Sequence, residues 1–330
     1  MSVFELLKNK IQASHKNYHI VFPEGIDKRV IVAASRLAQE KIIEPILLGN
    51  PQEINQRAQA DEIDLSAVTV IDIAAYTHLD EMITAFTAAR GKTFTPQEIA
   101  HQLQDPNYFG TMFVKMGKAD GMVSGAAHST ADTVRPALQL IHAADGMHRV
   151  SGSFIMERGT EKYVFADCAI NIEPDSSTLA EIAYQSVQTA RLIDIDPKVA
   201  FLSFSTKGSA KGDMIDKVQA ANDLFHQQHP EVVADGELQF DAAYIPEVAA
   251  TKAPDSALKG QANIFVFPEL QSGNLAYKIT QRLGKFTAIG PILQGLAAPV
   301  NDLSRGASGQ DIYNMAILTA AQALLRDEQK

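Results

Sequence analysis

The chain alternates between short apolar runs and longer amphipathic repeats over most of its length. Short continuous apolar runs indicate buried strands, whereas apolar positions three or four residues apart indicate helices that cover a sheet. Strands are predicted at 19–22, 45–48, 68–73, 121–124, 150–156, 163–170, 199–205, 238–244 and 264–267. Helices are predicted at the N-terminus, at 28–40, 79–90, from 129, and at 177–192, 214–226, 274–283 and 308–325. This alternation predicts an α/β protein with parallel sheets, whose ligand sites lie at the carboxyl ends of the strands.

The middle of the chain departs from this rhythm. The apolar runs 150–156 and 163–170 are joined by the polar segment 157–162, without room for a helix between them. Two strands joined so closely form a hairpin. The sequence therefore predicts antiparallel strands at the start of a second structural unit.

Composition narrows the possible functions. The 330 residues carry a net charge of −10, which argues against a nucleic-acid-binding protein because such proteins need a basic face. An anionic substrate would need a local cluster of arginines or backbone N–H groups. A single cysteine excludes an intramolecular disulfide framework and is typical of a reducing cytoplasm. The N-terminus lacks the features of a signal peptide, and no apolar run is long enough to span a membrane.

Four segments rich in Gly, Ser, Arg, Asp and Asn directly follow predicted strands. They are 21–29, 119–136, 202–209 and 299–306. In the second segment, Ser129 and Asp132 have the spacing of a capping box that opens a helix. The free N–H groups of such a helix N-terminus suit a phosphate, and Arg135 could add a bidentate contact. The alternative is an ordinary strand–turn–helix corner in which Arg135 pairs with a surface carboxylate.

The fourth segment places Ser304 and Arg305 just before a second capping box, formed by Ser308 and Asp311. On the residues alone, the alternative for Ser304 and Arg305 is a solvated turn, and the alternative for Asp311 is a helix cap without further function. Cys168 lies in a strand-like run, where a small buried thiol is the ordinary interpretation. His128 either contacts substrate or fills its corner. The remaining candidate pair, His226 with His229, has no third ligand nearby in the sequence, and no dinucleotide or P-loop motif occurs.

Together these segments closely resemble the phosphate acetyltransferase family. The matching strings are VFPEGIDKR (21–29), DGMVSGAAHSTADTVRPALQ (120–139), FADCAIN (165–171), LSFSTKGSA (202–210), DGELQFDAA (235–243), KAPDS (252–256), GQANIFVFPELQSGN (260–274) and GPILQGLAAPVNDLSRG (290–306). They occur in order over nearly the whole chain, and the chain resembles the short form of the family, without a regulatory domain.

The resemblance implies two α/β/α domains of the isocitrate-dehydrogenase-like type, with mostly parallel sheets and the active site in the cleft between them. The expected first domain comprises 1–147 plus 298–330, and the expected second domain comprises 148–297. The resemblance also implies a homodimer, and the single cysteine makes the cytoplasm its expected location. Its substrates would be acetyl phosphate and coenzyme A, with no metal or other cofactor and with no nucleic-acid or membrane partner.

The resemblance also carries over individual residues. Ser304, Arg305 and Asp311 match the catalytic segment, and Arg135 matches the phosphate-binding arginine. Further substrate contacts are expected from Arg29, Ser129 and Thr130, and from Arg90 in the run Arg90-Gly91-Lys92, which departs from the usual Arg-Lys cluster. In the implied reaction the thiolate of coenzyme A attacks the acetyl phosphate carbonyl directly, and Asp311 takes the thiol proton.

Several alternatives remain open on the sequence. A ping-pong route would pass through an acyl-Cys168, although nothing basic adjoins this residue in the sequence. Phosphate butyryltransferase chemistry would differ only in the acyl pocket. A decarboxylating dehydrogenase of related fold would need metal-binding aspartates and a nicotinamide site. A non-catalytic member of the family would have no reason to keep the catalytic segment.

Overall fold

A computed structural model describes residues 1–91 and 94–329, and these fall into two compact units. The first unit contains Phe4–Asp145 together with the chain from Leu296 to the C-terminus. The second unit contains Met1–Val3 and Gly146–Gly295. Both units combine helices with a sheet, which confirms the predicted α/β class with mostly parallel strands.

The first unit is built on a five-stranded parallel sheet. Its strands are β1 (His19–Phe22), β2 (Glu44–Leu48), β3 (Thr69–Ile71), β4 (Gly121–Ser124) and β11 (Val300–Asp302), in the spatial order β11-β4-β1-β2-β3. Its helices are α1 (Val3–Ala13), α2 (Lys28–Gln39), α3 (Pro51–Ala60), α4 (Leu79–Arg90), α5 (Pro96–Gln102), α6 (Pro106–Lys115), α7 (Thr130–Pro136) and α13 (Gly309–Glu328). A π-helical turn over Ala137–Ile141 follows α7.

The centre of this sheet is fixed by apolar packing. Val21 of β1, Met122 of β4 and Val300 of β11 are fully buried and belong to one core cluster, together with Phe86 and Phe109. Burial of one such side chain contributes about 1.5–3 kcal/mol. Because the three strands are held side by side, the loops that follow them leave the sheet next to one another.

The second unit is built on a six-stranded mixed sheet. Its strands are β5 (Ser151–Arg158), β6 (Glu161–Ala166), β7 (Lys198–Leu202), β8 (Val233–Leu238), β9 (Ile264–Val266) and β10 (Thr287–Gln294), in the order β10-β5-β6-β9-β7-β8. Its helices are α8 (Ser176–Leu192), α9 (Asp213–Gln228), α10 (Phe240–Tyr244), α11 (Pro246–Lys252) and α12 (Leu270–Arg282). Antiparallel pairing of β5 with β6 confirms the predicted hairpin, with Arg158 opposite Glu161 across a shorter turn.

The strand predicted at 238–244 is wrong. The strand lies earlier, at Val233–Leu238, and the residues Phe240–Tyr244 form a helix. Polar residues inside the real strand conceal it from an apolar-run criterion. The structure satisfies them internally, because Asp235 pairs with Lys207 and the buried Glu237 accepts a hydrogen bond from Ser205 at 2.8 Å. None of the helices in the described part of the chain combines the length and apolar character that crossing a membrane requires.

Candidate active site

Three loops of the first unit meet at the carboxyl edge of its sheet. Residues 23–27 join β1 to α2, residues 125–129 join β4 to α7, and residues 303–308 join β11 to α13. These strands are parallel neighbours, so their carboxyl ends lie at the same edge. Each loop leads directly into a helix N-terminus, where backbone N–H groups and the helix dipole favour a bound anion. We call this arrangement the three-loop site.

The Glu24 side chain organises the loop that follows β4. Its carboxylate accepts hydrogen bonds from the backbone N–H groups of Ala126 at 2.8 Å, Ala127 at 2.6 Å and His128 at 2.9 Å. It also lies 2.8 Å from the Nδ1 atom of His128. The Glu24 side chain is buried, so these donors replace the water that the charge has lost. Glu24 therefore fixes a loop that lies about a hundred residues away in the sequence.

Arg29 ties all three loops together. Its Nε and Nη2 atoms bind both oxygens of Asp27 at 3.0 and 2.7 Å. Nη2 also donates to the carbonyl of Ala126 at 2.8 Å, and Nη1 donates to the carbonyls of Arg305 at 3.0 Å and Ala307 at 2.8 Å. A guanidinium has five N–H donors, and the protein itself uses all five here. To bind substrate directly, Arg29 would have to give up one of these bonds.

A buried carboxylate joins the loop after β4 to the end of β11. Thr130, the first residue of α7, donates its hydroxyl to Oδ2 of Asp302 at 2.6 Å. Burial raises the pKa of Asp302, and the nearby charge of Glu24 raises it further against the opposing effect of the Thr130 hydroxyl. Gly125 closes this corner, since a Cβ there would come within 2.5 Å of Asp302 Oδ1 at a backbone φ of +108°.

Both predicted capping boxes are confirmed. The Ser129 hydroxyl accepts the Asp132 N–H at 3.3 Å, and the Asp132 carboxylate accepts the Ser129 N–H at 3.1 Å. The hydrogen bond from the Ser129 side chain holds the pKa of Asp132 below its usual range. At α13, Oδ2 of Asp311 accepts the N–H and the hydroxyl of Ser308, both at 2.8 Å. Asp311 therefore caps its helix, and its Oδ1 accepts no hydrogen bond from the described residues.

Two exposed arginines lie in or next to the three-loop site. Arg135 lies in the last turn of α7, and Arg305 lies in the loop before α13. Neither side chain forms a hydrogen bond or ion pair with the described residues. The Asp132 carboxylate has a weak electrostatic interaction with Arg135. The Ser304 hydroxyl accepts only a long bond from the Gly306 N–H at 3.3 Å, so its hydrogen remains available. These groups could hold a phosphate.

Arg90 lies outside these loops, at the C-terminal end of α4. Its guanidinium carbon lies 5.6 Å from the centre of the Phe94 ring, a cation–π arrangement. Lys92, the other basic residue of the predicted cluster, lies outside the described residues. A substrate contact from Arg90 stays a prediction.

The surroundings of the candidate nucleophile Cys168 and of the candidate metal ligands His226 and His229 indicate structural roles. Cys168 is fully buried, and its burial, with a smaller effect from the Asp167 charge, raises the pKa of its thiol well above the ordinary value. A thiol held in its neutral form is a poor nucleophile. His226 contacts its own helix carbonyl at Asn222, and His229 stacks on Tyr184 with ring centres 3.9 Å apart. Among the described residues, no group of three or more His, Cys, Asp and Glu side chains could hold a metal ion.

The sequence did not identify Glu24 and Asp302 as parts of this site. Glu24 stood in a matched string, and Asp302 stood in the segment 299–306, but neither carried a role. The available sequence signal for such a residue is a carboxylate that follows a buried strand and adjoins a glycine-rich turn. When the carboxylate is buried there, its charge needs hydrogen-bond donors from another part of the chain. Only the fold supplies the identity of those donors.

Adjacent loops that present helix N-termini, exposed arginines and a serine hydroxyl form a candidate anion-binding site in an α/β protein. The chain belongs to the phosphate acetyl/butaryl transferase family, whose model matches residues 2–320. It is 54% identical over 322 residues to the phosphate acetyltransferase of Bacillus subtilis (strain 168), which covers 98% of this chain and 99% of the relative.

Solved structures agree with this membership. A phosphotransacetylase from Streptococcus pyogenes shares 56% of its sequence with a TM-score of 0.96, covering 98% of this chain and 99% of the other. The EutD phosphotransacetylase from Staphylococcus aureus shares 51% with a TM-score of 0.93, covering 97% and 98%. The likeness therefore extends over both units and over all three loops of the site.

Proposed function

We propose that the chain catalyses the reversible transfer of an acetyl group between acetyl phosphate and coenzyme A, a reaction of acetate metabolism. The observation that carries the proposal is the pair of exposed guanidinium groups of Arg135 and Arg305, which have no hydrogen-bond partner among the described residues. Arg135 lies on α7, and Arg305 lies in the loop that leads into α13. The net charge of −10 repels both anionic substrates at long range, so a local cationic cluster of this kind is needed to hold them. Relatives that match nearly the whole chain carry the name of this activity.

The phosphate of acetyl phosphate would lie at the N-terminus of α7. The hydroxyl groups of Ser129 and Thr130 are engaged by Asp132 and Asp302. We therefore assign binding to the backbone N–H groups of the first turn of α7, with Arg135 and Arg305 supplying charge-assisted bonds. Arg29 then acts by positioning the loops. Arg90 is a further candidate for binding the phosphate group, ranked after Arg135 and Arg305.

The reaction would proceed by direct attack in a ternary complex. The thiolate of coenzyme A attacks the carbonyl carbon, while Ser304 donates a hydrogen bond to the oxygen on which negative charge develops. Arg305 stabilises the phosphate as the carbon–oxygen bond breaks. The buried, neutral thiol of Cys168 supports this route over an acyl-cysteine intermediate, because such an intermediate needs a thiolate on the enzyme.

Asp311 would accept the thiol proton through its Oδ1 atom, which no described residue uses. The ordinary pKa values of a thiol and an aspartate differ by about 4.6 units, so this transfer is uphill by about 6 kcal/mol in water. The step therefore needs the neighbouring arginines to acidify the thiol, or it must be concerted with the attack.

We also propose that the chain has two domains, one comprising 1–147 plus 298–330 and the other comprising 148–297. The division of the chain near residues 145 and 295 supports these bounds.

A homodimer is supported by an exposed apolar stripe on α12. Leu275 and Ile279 are 55% and 54% exposed, and Leu283, directly after the helix, is 81% exposed. Their spacing of four residues places them on one face. Light scattering on the Ile279→Glu variant tests this, since loss of the stripe should yield a monomer.

The single cysteine, fully buried as a free thiol, supports a cytoplasmic location. Coenzyme A is a substrate in this scheme, and the reaction as proposed uses no metal or further cofactor.

Phosphate butyryltransferase activity is the nearest alternative, since the family model covers both acyl groups. Relative rates with acetyl and butyryl phosphate decide between them.

The decisive experiment follows acetyl-CoA formation from acetyl phosphate and coenzyme A by thioester absorbance, without added nucleotide or metal. We expect rapid turnover in the wild type and loss of at least about a hundredfold in Arg305→Ala. Arg57→Ala is the matched control, because Arg57 is an exposed arginine in the last turn of α3 and belongs to none of the three loops. A folded wild type that forms no thioester from either acyl phosphate would refute the proposed function.

A further inference from the structure

A buried carboxylate and a half-exposed imidazole form a pair inside the three-loop site. The Glu24 side chain is 3% exposed and the His128 side chain is 32% exposed, with Nδ1 of His128 2.8 Å from Oε1 of Glu24. Glu24 accepts backbone N–H bonds on both of its oxygens, which is the pattern of an ionised carboxylate. Such a group only accepts hydrogen bonds, so the hydrogen on Nδ1 points to Glu24. The other ring nitrogen, Nε2, has no partner among the described residues.

We propose that His128 is a further catalytic residue, whose Nε2 exchanges a proton with the phosphate group during acetyl transfer. This assignment rests on the proposed function and adds a role that neither Asp311 nor the arginines fill. Asp311 handles the thiol proton at the N-terminus of α13. The arginines bind phosphate, but a guanidinium does not release its proton in a protein. An imidazole both binds and releases a proton near neutral pH.

The position of His128 fits this role. It precedes Ser129 and Thr130, so its ring is anchored beside the N-terminus of α7 where the phosphate is proposed to bind. The loop that carries it is tied through Ala126 to the guanidinium that also holds the carbonyl of Arg305. Glu24 fixes the ring through Nδ1, in the way that a carboxylate orients a catalytic histidine.

In the direction that forms acetyl-CoA, the sulfur–carbon bond forms and the carbon–oxygen bond to phosphate breaks. The electron pair of the broken bond stays on the phosphate oxygen, which takes the proton from Nε2 of doubly protonated His128. Phosphate then leaves as its dianion rather than as the trianion. In the reverse direction neutral His128 removes this proton from the dianion as its oxygen attacks the thioester carbonyl. The Glu24 carboxylate balances the charge of the ring while it carries both protons.

The two directions therefore need opposite protonation states of His128, and this gives the test. As pH rises through the ionisation of the ring, kcat should fall for acetyl-CoA formation and rise for acetyl phosphate formation. The charged groups that surround the ring are Glu24 and Asp132 on α7, and Arg29 and Asp302 lie around Glu24. All of them are present in wild type and variant alike.

The variant His128→Asn keeps a donor where Nδ1 stands, so the bond to Glu24 survives while Nε2 is lost. We expect kcat to fall about 10²–10⁴-fold in both directions, with KM for both substrates changed far less. The two opposite pH limbs should disappear together. His101→Asn is the matched control, because His101 is exposed on α5 and should leave kcat and both limbs unchanged. Added imidazole should restore part of the activity of His128→Ala, since the site is open to solvent.

Three outcomes separate the hypotheses. An active wild type with kcat in His128→Asn within twofold of normal overturns the role of His128 and leaves the proposed function intact. An inactive wild type overturns the proposed function itself. If His128→Asn lowers the melting temperature, the wild-type profiles still decide, because limbs of the same sign in both directions contradict the proton exchange without any variant.

Discussion

Replacing Arg29 tests whether this residue positions the loops or binds substrate. Its guanidinium makes three bonds to the carbonyls of Ala126, Arg305 and Ala307, besides two to Asp27. Hydrogen bonds from a charged donor contribute about 1.5–3 kcal/mol each when buried. The side chain is 33% exposed, so we take about 1 kcal/mol for each carbonyl bond. The Arg29→Ala variant should then lose about 3 kcal/mol of stability in the first unit.

Arg29→Lys is the more informative variant because it keeps the charge. An ammonium group is a compact donor and cannot span Asp27 and three carbonyls on two other loops. We expect a loss of about 2 kcal/mol, which lowers the melting temperature by roughly 4–8 °C for a unit of this size. Since the Arg305 loop is displaced, kcat should fall about 10–100-fold, while KM for acetyl phosphate changes less.

Calorimetry and steady-state kinetics on both variants check these values, with Arg57→Ala again as the control on an exposed arginine. One result would refute the positioning role. If Arg29→Lys and Arg29→Ala melt at the wild-type temperature while KM for acetyl phosphate rises strongly, then Arg29 binds the phosphate directly. That pattern would also require the bonds to Ala126, Arg305 and Ala307 to break when substrate binds.

Three further predictions follow from the described contacts. Gly125→Ala should destabilise the first unit by about 3 kcal/mol or more, because the new Cβ would meet Asp302 and Leu303 within 2.7 Å. Gly117 has open space around it, so the control Gly117→Ala should lose only about 1 kcal/mol of stability. Thermal melting of both variants measures the difference. Cys168→Ala should keep kcat within a few-fold, and wild-type Cys168 should resist alkylation at neutral pH until the protein unfolds, as mass spectrometry would show. The pKa of Glu40 is lowered to about 2, because hydrogen bonds to its carboxylate, led by that from Tyr313, outweigh the opposing effect of burial. The stability that Glu40 contributes is therefore present above pH 4.5 and is lost as the pH falls towards 2. Acid melting curves of Glu40→Gln should lack this loss of stability.

Much of the first unit could be predicted from local patterns. Strand β1 and helix α2 were located within a residue, because an apolar run and an amphipathic repeat each act over a few neighbours. Both capping boxes were correct for the same reason, since Ser129 and Ser308 find their partners three residues on. Strand β8 failed because its polar residues are satisfied by partners outside the local window, such as the Lys207 that pairs with Asp235.

The site separates local information from information that only the fold holds. Ser304, Arg305 and Arg135 could be identified as candidates because exposed polar residues after a strand need no distant partner. The roles of Glu24 and Arg29 could not be predicted, because their contacts span 102 residues to Ala126 and 276 residues to Arg305. Family resemblance marked the segment 21–29 as functional, but it placed Arg29 among the substrate contacts.

The geometry gives the segment 21–29 a different kind of importance. Glu24 and Arg29 carry opposite charges, and each directs its charge towards backbone groups of neighbouring loops. Glu24 takes up the N–H groups of residues 126–128, and Arg29 takes up the carbonyls of Arg305 and Ala307 in the loop before α13. Substrate phosphate needs free N–H groups and free arginines, so the loops must be held by something other than the groups that bind it. A glutamate and an arginine fixed at the end of β1 meet that need, which leaves Arg135, Arg305 and the ring of His128 free for chemistry.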